Sequence, residues 1–393
     1  MASDKPKKET MTSRERVLKA IRHETPDRVP IDFGGNQTGI HKNAYQNLTG
    51  HLGLSEGIEI MDAVQQLARP SERVLERFHV DTRYIAAGPA SSWKGGIVKA
   101  KRDGRAWHDL TDEFGVRWSM PDDQPLYMDI TLHPMAKATI KDVRKYAWPK
   151  GDDPSRFAKL REQALDIRRN TPYAVVSGIS GVIYETCWYL RGLEQWFSDL
   201  LMEPKFCEAM LDQTLKFWLD WFRLFLDEAG DVVDVIMIGD DLAGQAGPLF
   251  NPEIYRRLVK PRHKRLVQYI RSGTQAKIWY HTCGSCAAFI PDLIDNGIDI
   301  LNPVQTSASH MDPVDLKRRF GRDLAFWGGG CDSQHVLPRG TPSEVEENVR
   351  RNLEAFMPRG GYVFNSIHNI QGEVPPENIV AMFHAAYEYG LYT

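Results

Sequence analysis

Two residues that could bind a metal ion stand close together at the end of a predicted strand. His281 and Cys283 belong to the segment WYHTCGSC, which follows a short approach rich in β-branched and aromatic residues from Lys277. Residues two apart on a strand point to the same side, so one imidazole and one thiolate could hold the same ion. These donors suit Zn²⁺, which takes nitrogen and sulfur ligands tetrahedrally. Alternatively, His281 is a hydrogen-bonded residue and the cysteines are small core residues.

The number of nearby donors favours a catalytic metal site over a structural one. A structural zinc site uses four protein ligands, whereas a catalytic site uses three and keeps one position open. Only one donor pair is evident in this segment, because Cys286 falls at the start of the next predicted helix. The third ligand must come from another strand end, where Cys331 and His368 are the two candidates.

Acid–base candidates also follow predicted strands. Asp240 and Asp241 lie in GDDLAGQ, and if the strand continues they point to opposite faces, so only one enters the site. That carboxylate could act as a general acid or base, or orient a ligand imidazole. The alternative is a cap for a helix that begins after Gly244. His368 could face the site as a catalytic residue, or it could satisfy backbone groups.

A recurring pattern supplies the elements that position these residues. Short apolar runs end in Gly, Asp, Asn or His, and helical periodicity follows most of them, as is typical of strands buried on both faces of a parallel sheet. Eight such runs predict an α/β fold of the (β/α)8 TIM-type barrel class. The runs begin at Val29, Val80, Tyr173, Val232, Lys277, Ile298, Leu324 and Gly361.

In such a barrel the carboxyl ends of the strands meet at one mouth, and the loops there carry the chemistry. Polar or small residues at the other predicted strand ends are therefore expected to bind the substrate. They are Asp32, Gly34, Asp81, Asn302, Gln305 and Asn369.

The rest of the chain is predicted to surround this barrel. Residues 1–12 form a polar tail that we expect to be disordered, and residues 13–393 form one barrel that starts with a helical extension capped by Ser13. The segment from about 90 to 150 breaks the strand–helix rhythm with glycine-rich, alternating pieces. It predicts a small hairpin insertion.

Composition excludes several functional classes. The 49 basic and 52 acidic side chains nearly balance, which lacks the charge footprint of a nucleic-acid binder. No apolar stretch approaches the length of a membrane span, and the amino terminus lacks the apolar core of a signal peptide. Five cysteines in 393 residues do not form a disulfide framework. We expect a cytoplasmic protein with a small-molecule substrate, no membrane partner and a homodimeric assembly.

Several segments together carry a family resemblance over almost the whole chain. They are TPDRVPIDFGG, GVIYETCWYLRG, IGDDLAGQAGPLFNPEIYRRLVKPRHKRL, HTCGSCAAFIPDLIDNGIDILNPVQ and NSIHNIQGEVPPENIVAMF. The chain resembles the uroporphyrinogen decarboxylase superfamily, in particular the decarboxylase-like branch that includes zinc-dependent corrinoid:thiol methyltransferases. The resemblance implies a distorted β/α barrel.

The resemblance implies a zinc-dependent methyltransferase that moves a methyl group between a corrinoid, supplied by a partner protein, and a thiol. His281 and Cys283 match the His-x-Cys pair of those methyltransferases, and His368 takes the place of their late cysteine. One alternative is a decarboxylase of a tetrapyrrole or a smaller acid. Decarboxylases carry an arginine-rich loop for the substrate carboxylates, but the matching loop here is FGGNQTG, without arginine. A second alternative is a non-catalytic barrel that binds a corrinoid or another small molecule.

Overall fold

The chain folds around a parallel sheet whose strands follow one another in chain order. The computed structural model describes residues 9–392. The sheet contains seven strands, and each neighbouring pair is parallel. They are Thr82–Tyr84, Ala174–Gly178, Val235–Gly239, Lys277–His281, Ile300–Asn302, Ala325–Trp327 and Tyr362–Val363. Helices surround the sheet, which is the predicted TIM-type α/β architecture.

The first predicted strand, the run from Val29, is reduced to one residue that joins the two edges of this sheet. Ile31 forms parallel bridges to both Val80 and Phe364. The backbone N–H of Asp32 donates to the carbonyl of Phe364 at 2.8 Å, and the N–H of Asp81 donates to the carbonyl of Ile31 at 2.8 Å. These bonds close the barrel, so the run from Val29 takes the position of the predicted strand without forming a regular one.

The barrel interior is a packed apolar layer that supports the mouth from below. Trp279 and Trp327 stack there with ring centroids 4.8 Å apart, and Met237 belongs to the same cluster. Val17 and Ala20 of the first helix close the opposite end of the barrel. These side chains fill the lower barrel, so that a ligand could enter from the carboxyl ends of the strands.

The α-helices flank the strands in the predicted alternating order. The first is capped by Thr12, not by Ser13 as predicted, through a capping box with Glu15. A 3₁₀ turn covers Pro154–Phe157, and a π-helical turn covers Tyr255–Val259. The α-helices are Ser13–Ala20, Lys42–His51, Glu72–Arg77, Ile140–Lys145, Leu160–Asn170, Tyr184–Arg191, Leu193–Met202, Pro204–Ala229, Pro252–Ile254, Lys260–Ser272, Ile290–Asn296, Pro313–Phe320, Val336–Arg339, Pro342–Phe356 and Pro376–Tyr389.

Two small antiparallel sheets stand beside the barrel. The insertion at about 90–150 is larger than the predicted hairpin, because it contains four strands, Val98–Arg102, Arg105–Thr111, Arg117–Pro121 and Asp129–Leu132. A three-stranded sheet of Ile40–His41, Ile60–Asp62 and Leu67–Ala68 was not predicted. Its strands of two or three residues are too short to show a period of two in sequence.

Asp81 does not lie at the mouth, so its assignment as a substrate-binding residue is wrong. It precedes the strand Thr82–Tyr84 and is fully buried at the amino end of that strand. Its carboxylate accepts from the guanidinium groups of Arg16 and Arg28, each at 2.7 Å, and from the backbone N–H of Ile31 at 2.8 Å. The apolar run continues past Asp81, so this residue marks the start of the strand and not its carboxyl end.

The same ion cluster holds part of the predicted disordered tail. Glu9 pairs with both Arg16 and Arg28, and the backbone N–H groups of Thr10 and Met11 donate to Asp27. Residues 1–8 lie outside the described residues. Among the described residues, no helix combines the length and hydropathy that a bilayer crossing requires.

We expect Asp81→Asn to destabilise the protein by about 3–5 kcal/mol, because two buried guanidinium groups lose the charge of their shared partner. Chemical unfolding would measure this loss. Asp231→Asn is the matched control, since Asp231 pairs with Arg161 at the surface, where such a pair contributes about 1 kcal/mol or less. Equal unfolding midpoints for the two variants would contradict a central role for the buried cluster.

Candidate metal centre

His281 reaches the mouth because of its register on the strand Lys277–His281. Trp279 lies in the barrel interior, and His281, two residues later, points to the same side one layer higher. Gly239 pairs with His281 in the neighbouring strand, and a Cβ atom at this glycine would lie 2.4 Å from the His281 carbonyl oxygen. The glycine therefore leaves room for the histidine at the mouth.

A short hydrogen-bond chain fixes the ring of His281. Its Nδ1 lies 2.6 Å from Oδ1 of Asn302, and Nδ2 of Asn302 donates to the carbonyl of Trp327 at 2.9 Å. Because the amide nitrogen is committed to Trp327, the amide oxygen faces the imidazole and accepts from Nδ1–H. The lone pair of Nε2 is then directed into the mouth, 3.4 Å from Sγ of Cys283.

The third donor at the mouth is His368. The donor atoms of His281, Cys283 and His368 all lie within 4.8 Å of one another, and this is the candidate metal cluster found among residues 9–392. Cys331 is fully buried and is not a member, so its assignment as a metal ligand is wrong. Of the two candidates that the sequence left open, the structure brings His368 to the pair.

The donor set fits a zinc ion. Zinc bonds of about 2.0–2.3 Å place tetrahedral ligand atoms about 3.3–3.6 Å apart, which matches the distance of 3.4 Å between Nε2 and Sγ. Burial lowers the pKa of His281 to about 4, and burial together with His281 lowers the pKa of His368 to about 3. Both imidazoles are thus neutral and able to bind an ion at physiological pH. Burial, followed by the charge of Asp241, raises the pKa of Cys283, so its thiol must lose a proton when the ion binds.

The side chains of the two adjacent aspartates point to opposite sides of the chain, as predicted. Asp241 lines the cavity, and its Oδ1 accepts from the backbone N–H of Cys283 at 2.7 Å. Asp240 is fully buried behind the strand, where it accepts from the N–H of Ile183 and Glu185 and lies 2.8 Å from Nε2 of His263. The assignment of Asp240 as a catalytic residue is therefore wrong. It caps the helix Tyr184–Arg191, not a helix that follows Gly244.

That helix contributes a carboxyl group that the sequence reasoning missed. Glu185 lines the cavity with Asp241, and its Oε1 accepts from the hydroxyl of Tyr189 at 3.0 Å. Burial, followed by the nearby charges of Asp241 and Asp240, raises the pKa of Glu185 well above its usual range. Glu185 lies on a helix some way beyond a strand end, so a search of strand ends could not find it. The sequence signal that could have indicated Glu185 is its position in GVIYETCWYLRG, one of the segments that carry the family resemblance.

The centre opens into a cavity of about 730 Å³. His281, His368 and Asp241 line it at the barrel mouth, while the four-stranded insertion supplies the facing wall with Asp112 and Trp118. A volume of this order accommodates a small organic molecule. Two of the three donors, His281 and His368, therefore face a space in which a substrate could reach an ion.

The remaining predicted substrate-binding residues form the frame of the mouth. Asp32 is fully buried and accepts from Thr82, Tyr84 and the indole of Trp327. Burial raises its pKa. Gly34 adopts φ +98° beside Pro70 and Leu75, where a left-handed backbone favours glycine.

The three amide residues also make internal contacts. Asn302 orients His281, and Gln305 accepts from the N–H of Gly284 at 2.9 Å. Asn369 accepts from the N–H of Gly39 at 2.6 Å and donates to the carbonyl of Asn36. None of Asp32, Gly34, Asn302, Gln305 and Asn369 lines the cavity, so direct substrate contact stays a prediction for them.

Comparisons with known proteins agree with this architecture. Residues 111–389 match the family model described as uroporphyrinogen decarboxylase (URO-D). A uroporphyrinogen decarboxylase of Pseudoalteromonas translucida is 25% identical over 262 residues, which cover 64% of this chain and 69% of that protein. One of Magnetococcus marinus is 28% identical over 106 residues, 27% of this chain and 28% of that protein.

A solved structure shares the fold over nearly its full length. The methyltransferase from Methanosarcina mazei superposes with a TM-score of 0.65 at 18% sequence identity. The superposition covers 96% of this chain and 99% of that one.

We expect the purified protein to bind one equivalent of Zn²⁺ and to lose at least about tenfold in affinity on Cys283→Ser or His368→Ala, because either change leaves two donors. Competition with a chromogenic chelator would measure the affinity. Cys331→Ser is the control for removing a cysteine and should keep zinc binding. Loss of zinc in Cys331→Ser but not in His368→Ala would reverse the assignment.

Asn302→Leu, which keeps the side-chain volume but removes the acceptor for Nδ1–H, should weaken zinc binding by about 10–100-fold. The same competition experiment applies, with a thermal melt to verify folding. Unchanged affinity in a folded Asn302→Leu protein would show that the ring orientation of His281 does not depend on this bond.

Proposed function

Because this chain belongs to the uroporphyrinogen decarboxylase family, we propose that it is a zinc-dependent methyltransferase of that family, which moves a methyl group between a corrinoid protein and a thiol. The observation that carries the proposal is the donor set of His281, Cys283 and His368 beside a cavity large enough for a substrate. Two nitrogens and one sulfur leave a fourth position open, as in catalytic zinc sites. The fold of the methyltransferase from Methanosarcina mazei supports the proposal.

Each residue of the centre has a distinct role in this proposal. A zinc ion held by these donors would supply the positive charge that favours the thiolate form of a substrate thiol. His281 and His368 would present neutral nitrogens to the ion, and Asn302 holds the ring of His281 in the required tautomer. Asp241 holds the loop of Cys283 through its backbone N–H.

Glu185 is the residue proposed to accept the thiol proton. Its carboxyl group lines the same cavity as Asp241 and His281, and the hydroxyl of Tyr189 fixes its orientation. A raised pKa suits a carboxylate that must take a proton from a weak acid near neutral pH.

The proposed methyl transfer requires no external oxidant or reductant. A sulfur–carbon bond would form as the cobalt–carbon bond of a methylated corrinoid breaks, and both electrons of the broken bond would stay with the cobalt. The thiol proton goes to the carboxylate of Glu185 and then to water. The corrinoid is supplied by a partner protein that docks over the mouth of the barrel.

Decarboxylation is the second candidate function, because the relatives from Pseudoalteromonas translucida and Magnetococcus marinus are uroporphyrinogen decarboxylases by name. The charges of the cavity argue against a substrate with many carboxylates. Arg156 is the basic side chain among the cavity-lining residues, and it is already paired with Glu113, with Nη1 2.7 Å from Oε1. A polyanionic substrate would meet uncompensated carboxyl groups there.

Methylcobalamin can stand in for the corrinoid protein in a direct assay. We expect zinc-loaded protein to methylate a thiol, and Cys283→Ser to lower the rate by at least about 100-fold, because the site then lacks a complete donor set. Glu185→Gln should lower it by about 10–100-fold, because it removes a proton acceptor. Mass spectrometry of the thioether would measure both, with Cys331→Ser as the control.

Removal of zinc by a chelator should abolish the activity, and readdition should restore it. Metal-free protein that consumes a porphyrinogen would support the decarboxylase instead. A zinc-loaded, folded protein that transfers no methyl group from any corrinoid would leave the non-catalytic barrel as the better description.

A further inference from the structure

The cavity beside the metal centre has a strong excess of acidic side chains. Asp62, Asp112, Glu113, Glu185 and Asp241 line it, against one guanidinium group, that of Arg156, and two histidines that are neutral at physiological pH. Arg156 is committed to Glu113. The other four carboxyl groups therefore face the cavity without a cationic partner among residues 9–392.

Within residues 9–392, these four groups accept hydrogen bonds from neutral donors. Asp62 accepts from the amides of Asn36 and Gln65. Asp112 accepts from the indole of Trp118 at 3.0 Å and from two backbone N–H groups. Neutral donors orient a carboxyl group but do not compensate a negative charge on it, so a cation that enters the cavity would stabilise the ionised form of each group.

Glu185 and Asp241 complete this arrangement at the metal centre. The hydroxyl of Tyr189 donates to Glu185, and the backbone N–H of Cys283 donates to Asp241. These two carboxyl groups lie at the barrel mouth, whereas Asp112 belongs to the insertion and Asp62 to the three-stranded sheet. A ligand in the cavity thus has carboxyl groups on three sides.

Aromatic rings occupy much of the remaining wall. Trp118 and Tyr189 meet edge to face with centroids 5.2 Å apart, and they donate hydrogen bonds to Asp112 and Glu185, respectively. Further rings line the same cavity. They are Phe114, Tyr127, Phe217, Trp218 and Trp221. The faces of such rings attract cations, most strongly in desolvated sites.

We infer that the thiol substrate of this site carries an aliphatic ammonium group, so that it is an aminothiol and not a thiol with a sulfonate or carboxylate. The inference rests on the proposed function for the thiol. The ammonium group itself follows from the charges and rings of the cavity. Its positive charge would balance the carboxyl groups, while its carbon chain would pack against the aromatic wall.

A series of three thiols of similar size tests the inference. They are 2-aminoethanethiol, which is cationic, 2-mercaptoethanol, which is neutral, and 2-mercaptoethanesulfonate, which is anionic. Isothermal titration of zinc-loaded protein should give at least tenfold tighter binding of the aminothiol than of the sulfonate, with the neutral thiol between them. The preference should weaken as salt increases.

Two variants that each remove a cavity carboxyl group, and one control, test whether these groups cause the preference for the aminothiol. Glu185→Gln and Asp112→Asn should each reduce the preference for aminothiol over sulfonate by about threefold or more. Asp231→Asn, which removes a surface carboxylate paired with Arg161, should leave the preference unchanged. Tighter binding of the sulfonate than of the aminothiol, or a preference unaffected by both cavity variants, would overturn the inference.

A fourth probe separates this inference from the proposed function. Ethylammonium has the charge but no thiol, so it should bind metal-free protein weakly and compete with the aminothiol. If no thiol is methylated but ethylammonium still competes and ethanesulfonate does not, the cationic preference stands while the methyltransferase fails. If methyl transfer occurs with the sulfonate preferred, the methyltransferase stands and the aminothiol is wrong.

Discussion

The site depends on the hydrogen bond between Nδ1 of His281 and Oδ1 of Asn302. This bond connects the ends of two adjacent strands, and Asn302 is itself held by the carbonyl of Trp327 on the next strand. Three strand ends are thus tied through the side-chain amide of Asn302. Because Trp279 and Trp327 stack directly below, the ring rests on a rigid apolar layer, and its Nε2 has a defined direction.

The buried charges of the molecule are arranged differently at the two ends of the barrel. At the amino ends of the strands, Asp81 is surrounded by Arg16 and Arg28, so charges are paired and the end is closed. At the mouth, Asp241 and Glu185 have neutral hydrogen-bond donors instead of cations. Paired charges hold the closed end together, whereas buried carboxyl groups with raised pKa values and no cationic partner are typical of functional sites.

Sequence patterns predicted the strands well because each is a buried apolar run with a clear end. The pair of His281 and Cys283 followed from the period of two along one such strand, and the structure brings His368 to it. Asp81 was misplaced because a carboxylate at the start of a run looks the same as one at its end. Cys331 lies at a strand end but is fully buried, and only packing could reveal that. Glu185 was missed since its approach to Asp241 is a contact between distant parts of the chain.

The position of the four-stranded insertion separates two properties of this protein. The donors and Asn302 belong to the barrel, whereas Asp112 and Trp118, which form the facing wall, belong to a segment that leaves the barrel and returns to it. Changes in that segment can therefore alter which molecule is admitted while the ion and its ligands remain as they are. Relatives with the same barrel could in this way diverge in substrate through a single exchangeable piece of chain.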